Sequence, residues 1–199
     1  MSAARRRAVF LDRDGTLHRE LERAPTDPSQ LELFPGALEA AARLASAGFV
    51  LVLVTNQSAI ARGTATLSEV EAVNRGLAER MAGAGAPLAG IYLCPHHPDE
   101  GDPPYRRVCT CRKPAPGLIQ RAARELDLDL PHSWVIGDAE RDLAAGAALG
   151  VPGVIVLTGK GPRELERLKL AGRAPQHVAR DLREAAALVL GIHRGASEP

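Results

Sequence analysis

Aromatic side chains are scarce in this chain: three Phe, two Tyr and one Trp make up 3% of its 199 residues. A core with so few rings must be filled mainly by Ala, Leu and Val. An excess of charge is missing too. With 25 Lys+Arg against 24 Asp+Glu the formal net charge is +1, so electrostatics give no ground for nucleic acid or a membrane surface as the main partner. No apolar run approaches the roughly 18 residues that cross a bilayer. Arg5-Arg6-Arg7 has the basic character of an export signal. Only Ala8 to Leu11 follows before Asp12, too short for the apolar region of such a signal. A cytoplasmic protein is the simpler expectation. Cysteine is confined to Cys94, Cys109 and Cys111, within one stretch of 18 residues. An odd number in a chain of this kind speaks for metal binding over a disulfide framework.

What remains is ordinary for a globular protein, with 45% hydrophobic and 25% charged residues. The length suits one domain, expected over 1–193, with 194–199 as a flexible tail. Short apolar runs alternate with helical patterns. Ala8–Leu11, Phe49–Val54, Leu88–Leu93, Trp134–Ile136 and Val154–Leu157 have the length and composition of buried strands. Ala37–Ala47, a segment from the capping box Thr66-Leu67-Ser68-Glu69 to about Ala82, Gly117–Leu126, Arg141–Leu149 and a segment from Asp181 to about Leu190 have those of helices. Fully apolar strands alternating with helices predict an α/β fold with a doubly wound, mostly parallel sheet covered on both faces. The stretch from Cys94 to Pro116, rich in Pro, His and Cys, has no periodicity. A loop of that length inside a compact domain needs its own explanation.

Four polar clusters fall at the same end of successive strands: Asp12 and Asp14 before Gly15-Thr16, Thr55-Asn56, Arg112-Lys113, and Gly137-Asp138 with Asp142. In open α/β sheets that end is where ligands bind. Two carboxylates one residue apart repel each other unless a cation or proton offsets the charge, so Asp12 and Asp14 point to a divalent metal and to nucleophilic or acid–base chemistry. Each cluster alone has a bland reading. Thr55-Asn56 can be a turn, Arg112-Lys113 a solvated loop, Asp138 a helix cap and Asp142 a surface ion-pair partner. Their order and common placement are what carry the argument.

Taken together, Asp12-Arg13-Asp14-Gly15-Thr16, Thr55, Lys113 and Gly137-Asp138 through Asp142 resemble the four motifs of the haloacid dehalogenase superfamily of phosphohydrolases. The resemblance implies a Rossmann-type fold without a large cap. Spacing does not say which aspartate attacks; the resemblance makes Asp12 the nucleophile and Asp14 the general acid and base. It also implies Mg²⁺ held by the Asp12 carboxylate, the Asp14 backbone carbonyl and Asp138. Thr55 and Lys113 would hold phosphoryl oxygens, Asn56 and Arg112 would contact substrate, and Asp142 would position Lys113 or a metal-bound water. Mg²⁺ suits such a set, since it takes six hard oxygen ligands, several from water and phosphate.

The long loop brings Cys94-Pro95-His96-His97-Pro98 and Cys109-Thr110-Cys111 together. Thiolates and imidazole at these spacings can close a tetrahedral Zn²⁺ site, and a metal explains how the loop is ordered. From the residues alone, His96 and His97 compete for the fourth position. The Cys-x-His-His-Pro segment resembles the zinc loop of the heptose 1,7-bisphosphate phosphatase branch and of related histidinol-phosphate phosphatases. That resemblance selects His96, leaving Cys94, His96, Cys109 and Cys111 around a structural zinc, with His97 solvated or in support. Arg112, with its planar fork, would read a second anionic group on the substrate.

Three departures bear on the substrate. His18 stands where that branch has Asn, Arg19–Pro28 lacks the Gly-Tyr of its substrate loop, and Ala139 stands where it has Lys. The leading expectation is a monomeric Mg²⁺-dependent phosphatase of carbohydrate metabolism. It would act on a small phosphate ester, foremost the 7-phosphate of a heptose 1,7-bisphosphate. Histidinol-phosphate phosphatase or another sugar-phosphate phosphatase is the alternative. A receiver domain shares the acidic cluster, Thr and Lys but not the cysteine loop or the order of Asp12 to Thr16. A silent zinc-stapled binding module would have no need of two carboxylates.

Overall fold

In the computed structural model, residues 5–195 are described. Six strands form one all-parallel sheet: β1 (Ala8–Leu11), β2 (Val50–Asn56), β3 (Leu88–Cys94), β4 (Trp134–Gly137), β5 (Gly153–Val156) and β6 (His177–Ala179), in the order β3-β2-β1-β4-β5-β6. β1 is central. It pairs with β2 from Ala8 opposite Val50 to Leu11 opposite Leu53, and with β4 from Val9 opposite Trp134 to Leu11 opposite Ile136. All four of its residues are fully buried, which is why it reads as an unbroken apolar run.

The alternation of side chains along the strands sorts the core into two layers. Val9, Leu11, Leu51, Leu53, Ile136, Val154 and Val156 pack toward the helices α1 (Ala37–Ser46), α2 (Leu67–Gly83) and α6 (Leu182–Gly195). Ala8, Phe10, Val52, Val54 and Val135 face the other way, onto α3 (Gly117–Leu126) and α4 (Glu140–Ala147). Small residues do much of the filling, as Ala40 and Ala41 of α1 and Ala185 and Ala186 of α6 show.

Local signals set the helix starts. The Thr66 hydroxyl accepts from the Glu69 amide at 3.2 Å while the Glu69 carboxylate accepts from the Thr66 amide at 2.6 Å, so the capping box opens α2 as expected. At the last helix only half of the expected box forms. Asp181 accepts from the Glu184 amide at 3.0 Å, but Glu184 returns to the Arg180 amide instead.

The sequence pattern gave no warning of α5 (Gly161–Leu170) or of β6. α5 buries only Gly161 and Leu168, and β6 is three residues long. A strand that short carries almost no periodic signal; α5 has an amphipathic pattern, but a short one that buries little. α6 runs to Gly195; residues 196–199, the rest of the expected tail, lie outside the described part. Among the described residues no helix is long and apolar enough to cross a membrane.

Strand order reverses between β1 and β4, whose neighbours β2 and β5 lie on opposite sides. Chains leaving two such strands diverge, and the crevice between them is the ordinary ligand site of a doubly wound sheet. Asp12 follows β1 and Asp138 follows β4 at that point.

Candidate active site

Asp12 continues the ladder, its amide donating to the Ile136 carbonyl at 3.1 Å, and its side chain is almost wholly buried. The chain then turns sharply, with Gly15 at φ +83°, a left-handed conformation that glycine adopts without a steric penalty. A side chain there would also collide with Asp138, since a Cβ would stand 2.0 Å from its Oδ2. A Cβ on Gly159 would likewise stand 2.3 Å from the same oxygen. Two glycines thus make a slot for one carboxylate. The Lys160 amide donates to Asp138 Oδ2 at 2.8 Å, while Oδ1 is buried with no hydrogen-bond partner.

That orphaned oxygen tests whether a cation fits. Carboxylate oxygens of Asp12, Asp138 and Asp142 lie within 4.8 Å of one another, all three residues buried. Asp142 is ion-paired with Lys113 at 2.7 Å and accepts the Ala139 amide at 3.1 Å. Asp12 and Asp138 are left to share whatever lies between them. Buried, hard, anionic oxygens are a donor set that suits Mg²⁺. Without it the charges strain one another. Burial, with Asp142 and Asp14 nearby, lifts the Asp12 carboxyl to about 6 despite Lys113. Burial, with Asp12 and Asp142 nearby, lifts Asp138 to about 7.

Protons and a divalent cation therefore compete for the same oxygens. Mg²⁺ affinity should fall by roughly tenfold to a hundredfold between pH 7.5 and pH 5.5, measured by calorimetric titration. Stability follows the opposite sign. Because the folded pKa values lie above the unfolded ones, the metal-free protein holds protons that the unfolded chain has lost. It should lose stability as pH rises from about 4 through about 7. A Mg²⁺ affinity independent of pH over this window would contradict the assignment of these two carboxylates.

Lys113 is buried in a chain of committed bonds. Its Nζ lies 2.8 Å from Asp12 Oδ1, 2.7 Å from Asp142 Oδ1 and 2.7 Å from the Val54 carbonyl. Burial alone would favour loss of its proton, but Asp12 and Asp142 outweigh it and hold the ammonium charged, above its usual pKa. Asn56 grips the backbone of the same residue, donating from Nδ2 to the Lys113 carbonyl at 3.0 Å and accepting the Lys113 amide at 3.1 Å. Its amide borders the cavity, yet its bonds clamp the lysine. Thr55, fully buried, accepts from Gln57 Nε2 at 2.8 Å, leaving its hydroxyl proton for another acceptor.

Asp14 sits in a network that the sequence pattern did not reveal. Arg13 is the largest fully buried side chain of the protein's described part. It donates to Asp14 Oδ1 at 3.1 Å, to Asn74 Oδ1 at 2.9 Å and to Gln57 Oε1 at 2.9 Å. Gln57 donates in turn to Asp14 Oδ2 at 2.7 Å, and His18 Nε2 lies 3.3 Å from Oδ1. Burial would raise the Asp14 pKa, but the Arg13 charge and the hydrogen bonds from His18, Arg13 and Gln57 overcome it. They hold the carboxyl well below its usual range. One signal was legible: Asn74 lies on the buried face of α2 with Val70, Val73, Leu77 and Met81, where an unpaired amide would be costly.

The cysteine loop forms a second cluster. Cys94, His96, Cys109 and Cys111 bring their donor atoms within 4.8 Å of one another. Sulfur–sulfur distances are 3.3–3.6 Å, and His96 Nδ1 stands 3.6 Å from Cys94 and 3.3 Å from Cys111. An ion about 2.3 Å from each sulfur would give tetrahedron edges of about 3.8 Å, so the cluster could hold a metal ion. Hydrogen bonds from its neighbours, Cys94 first, lower the Cys111 thiol to about 5. His97 turns away and accepts the Asp99 and Glu100 amides at 3.2 and 2.9 Å, shaping the loop. Arg112 donates to the Ser58 hydroxyl at 2.7 Å and the His96 carbonyl at 2.9 Å, so the loop directly fixes its direction.

A cavity of about 640 Å³ opens above the two aspartates, lined by Asp12, Asp14, Asn56, Arg112, Arg141 and Lys160 among others. Glu20 to Pro25 form one wall, which gives the 18–28 segment a place at the mouth. Arg141 was not foreseen there.

The chain is similar to known proteins. A family model described as HAD-hydrolase-like matches residues 110–185. The D-glycero-beta-D-manno-heptose-1,7-bisphosphate 7-phosphatase of Pseudomonas putida is 38% identical over 159 residues, 80% of this chain and 87% of the relative. Its namesake from Photorhabdus laumondii is 41% identical over 77% of this chain and 81% of the relative. Among solved structures, a D,D-heptose 1,7-bisphosphate phosphatase from B. bronchiseptica, complexed with magnesium and phosphate, superposes with a TM-score of 0.81. It is 34% identical and covers 94% of this chain and 99% of its own. A putative HAD-like phosphatase from Mesorhizobium loti gives a TM-score of 0.79 at 32% identity, covering 96% and 87%.

Proposed function

The chain belongs to the D-glycero-β-D-manno-heptose-1,7-bisphosphate 7-phosphatase family of HAD-like hydrolases, and from that premise we propose that it removes the 7-phosphate of a heptose 1,7-bisphosphate through an aspartyl-phosphate on Asp12. The observation that supports this best is the convergence of Asp12, Lys113 and Asp138 at the strand-order reversal. The Asp12 carboxylate, which lines the cavity, an ammonium 2.8 Å from it and an orphaned carboxylate oxygen of Asp138 meet there.

Asp12 and Asp138, with the Asp14 backbone carbonyl, are the groups that would hold Mg²⁺. When bound, that ion neutralises charge on the phosphoryl group and so lets an anionic nucleophile approach it. Lys113 and Thr55 hold phosphoryl oxygens, Lys113 by turning the donor that faces Asp12 toward the arriving group. The Asp12 carboxylate forms a bond to phosphorus as the ester oxygen leaves, and Asp14 gives that oxygen a proton. In the second half Asp14 takes a proton from water, which attacks the same phosphorus and frees Asp12. The partners of Asp14 favour its ionised form, which suits the water step. A phosphate dianion alongside raises its affinity for a proton, which suits the first.

Cys94, His96, Cys109 and Cys111 are the residues that would hold a structural Zn²⁺, a set of four protein ligands whose metal would order the loop and take no part in the chemistry. Three reduced thiols in that role fit a cytoplasmic setting. The monomer is the proposed active form.

The test is phosphate release with Mg²⁺ from heptose 1,7-bisphosphate, other sugar bisphosphates, sugar monophosphates and histidinol phosphate. The heptose bisphosphate should show the highest kcat/KM, by at least about tenfold. A preference for histidinol phosphate, or no turnover of either, would overturn the substrate assignment.

A further inference from the structure

Asp14 is held by a group of side chains that the chemistry itself does not require. Arg13, fully buried, donates from Nε to Asp14 Oδ1 at 3.1 Å, from Nη2 to Gln57 Oε1 at 2.9 Å and from Nη1 to Asn74 Oδ1 at 2.9 Å. Gln57 closes a ring by donating to Asp14 Oδ2 at 2.7 Å. Arg13, Asp14 and Gln57 follow β1 and β2 at the cavity. Asn74 does not. It lies midway along α2, only 2% exposed, on the face that carries Val70, Val73, Leu77 and Met81 into the core. A guanidinium only donates, so the Asn74 amide must present its oxygen to Arg13. That orientation leaves Nδ2 buried with no hydrogen-bond partner among the described residues. An unpaired buried donor is destabilising, and an apolar side chain of similar size would suit these neighbours better. Asn74 thus costs stability at the one point where α2 reaches Arg13.

We propose that Asn74 is a positioning residue of the reaction: from α2 it fixes the plane of the Arg13 guanidinium and, through Arg13 and Gln57, the direction in which Asp14 presents its carboxylate to the leaving oxygen and the attacking water. This rests on the phosphatase reading above. The ring of Arg13, Asp14 and Gln57 is closed on itself. Its other side-chain contacts are the Thr55 hydroxyl, 2.8 Å from Gln57, and His18, 3.3 Å from Asp14, both in the same strand-end loops. Such a ring can tilt as a unit. A bond to α2, whose Val73, Leu77 and Met81 are locked in the core, prevents the tilt. Proton transfer needs the carboxylate within hydrogen-bond reach of the reacting oxygen, and a displacement of about 1 Å costs about a hundredfold in rate. The competing role is purely structural: Asn74 would then satisfy one donor of a buried charge and affect folding alone.

Single-turnover kinetics of Asn74→Leu, with Mg²⁺ and enzyme in excess, separates the two roles on a pair of esters. The alkoxide of heptose 1,7-bisphosphate needs a proton from Asp14 in order to leave; the nitrophenolate of 4-nitrophenyl phosphate leaves without one. Asn74→Leu should slow the sugar ester by roughly tenfold to a hundredfold and nitrophenolate release by less than about threefold. Asn74→Asp, which keeps an acceptor for Arg13, should recover most of the loss. Equal losses on both esters would make Asn74 a structural residue and overturn the proposal, as would an unchanged rate on the sugar. Where Asn74→Leu does not fold, Asn74→Ala, which leaves room for a water at Arg13, takes its place in the same comparison. Where the wild-type protein turns over only the sugar ester, the Arg13 Nε–H resonance in ¹H–¹⁵N spectra supplies the second readout. It should be sharp and slow to exchange in the wild type and broadened or lost in the folded variant; an unchanged resonance would overturn the proposal. If neither ester is turned over, the phosphatase reading falls by itself, and the same resonance decides whether Asn74 fixes the network.

Discussion

Asp12→Asn should abolish phosphate release, lowering kcat by about 10⁴-fold or more, while the protein stays folded with a melting temperature within a few degrees of the wild type. The rate loss follows from chemistry: a neutral amide cannot form the acyl-phosphate, and a 10⁴-fold loss corresponds to about 5.5 kcal/mol of barrier. The retained fold follows from the site's electrostatics. Asp12 is buried beside Asp142 and Asp14, and burial already lifts its pKa to about 6, so the folded state gains little from its ionised form. The amide has nearly the same shape. Lys113 keeps Asp142 and the Val54 carbonyl as partners. Steady-state assay and thermal unfolding of the same preparation check both halves. Activity within tenfold of wild type would remove Asp12 from the nucleophile's role.

The second large effect concerns the cysteine cluster. Metal analysis should find about one zinc per chain, absent after Cys109→Ser. That variant should lose roughly 5–10 °C in melting temperature, as a few kcal/mol does in a protein of this size. The 97–108 segment should become open to limited proteolysis. Activity should fall mainly through KM. Arg112 loses the His96 carbonyl that aims it, whereas Lys113 is still gripped by Asn56 and its two carboxylates. Zinc-free wild-type protein with an unchanged melting temperature would contradict a metal at this site.

The elements that form the floor of the site were legible because each lies at the carboxyl end of a strand with a strong local pattern. Asp12 follows β1, Thr55 and Asn56 end β2, and Asp138 follows β4. The fold then brings these ends together without further information from the chain. The gathering of Cys94, His96, Cys109 and Cys111 was legible from residue type and spacing, since a polar loop gives three thiols no core to enter. Long-range polar networks were not. Arg13 reads as one more charged residue of a turn, yet it is buried by its bonds to Asn74 and Gln57, 61 and 44 residues away. The resemblance implied Asn56 as a substrate contact; its bonds to the backbone of Lys113 could not be read, because they depend on where that residue returns. Arg141 carried no signal beyond opening a helix, and only the fold places it at the cavity. β6 went unseen because it is three residues long and forms by pairing with β5.

The most direct test of the account is chemical trapping of the intermediate. Enzyme turning over its bisphosphate with Mg²⁺ is quenched in acid and treated with borohydride, which reduces an acyl-phosphate to an alcohol, and the peptides are then mapped. The account predicts homoserine at position 12, dependent on both substrate and metal and missing from Asp12→Asn. Homoserine at position 14 instead, or none at position 12 under conditions where phosphate is released in a burst, would contradict it.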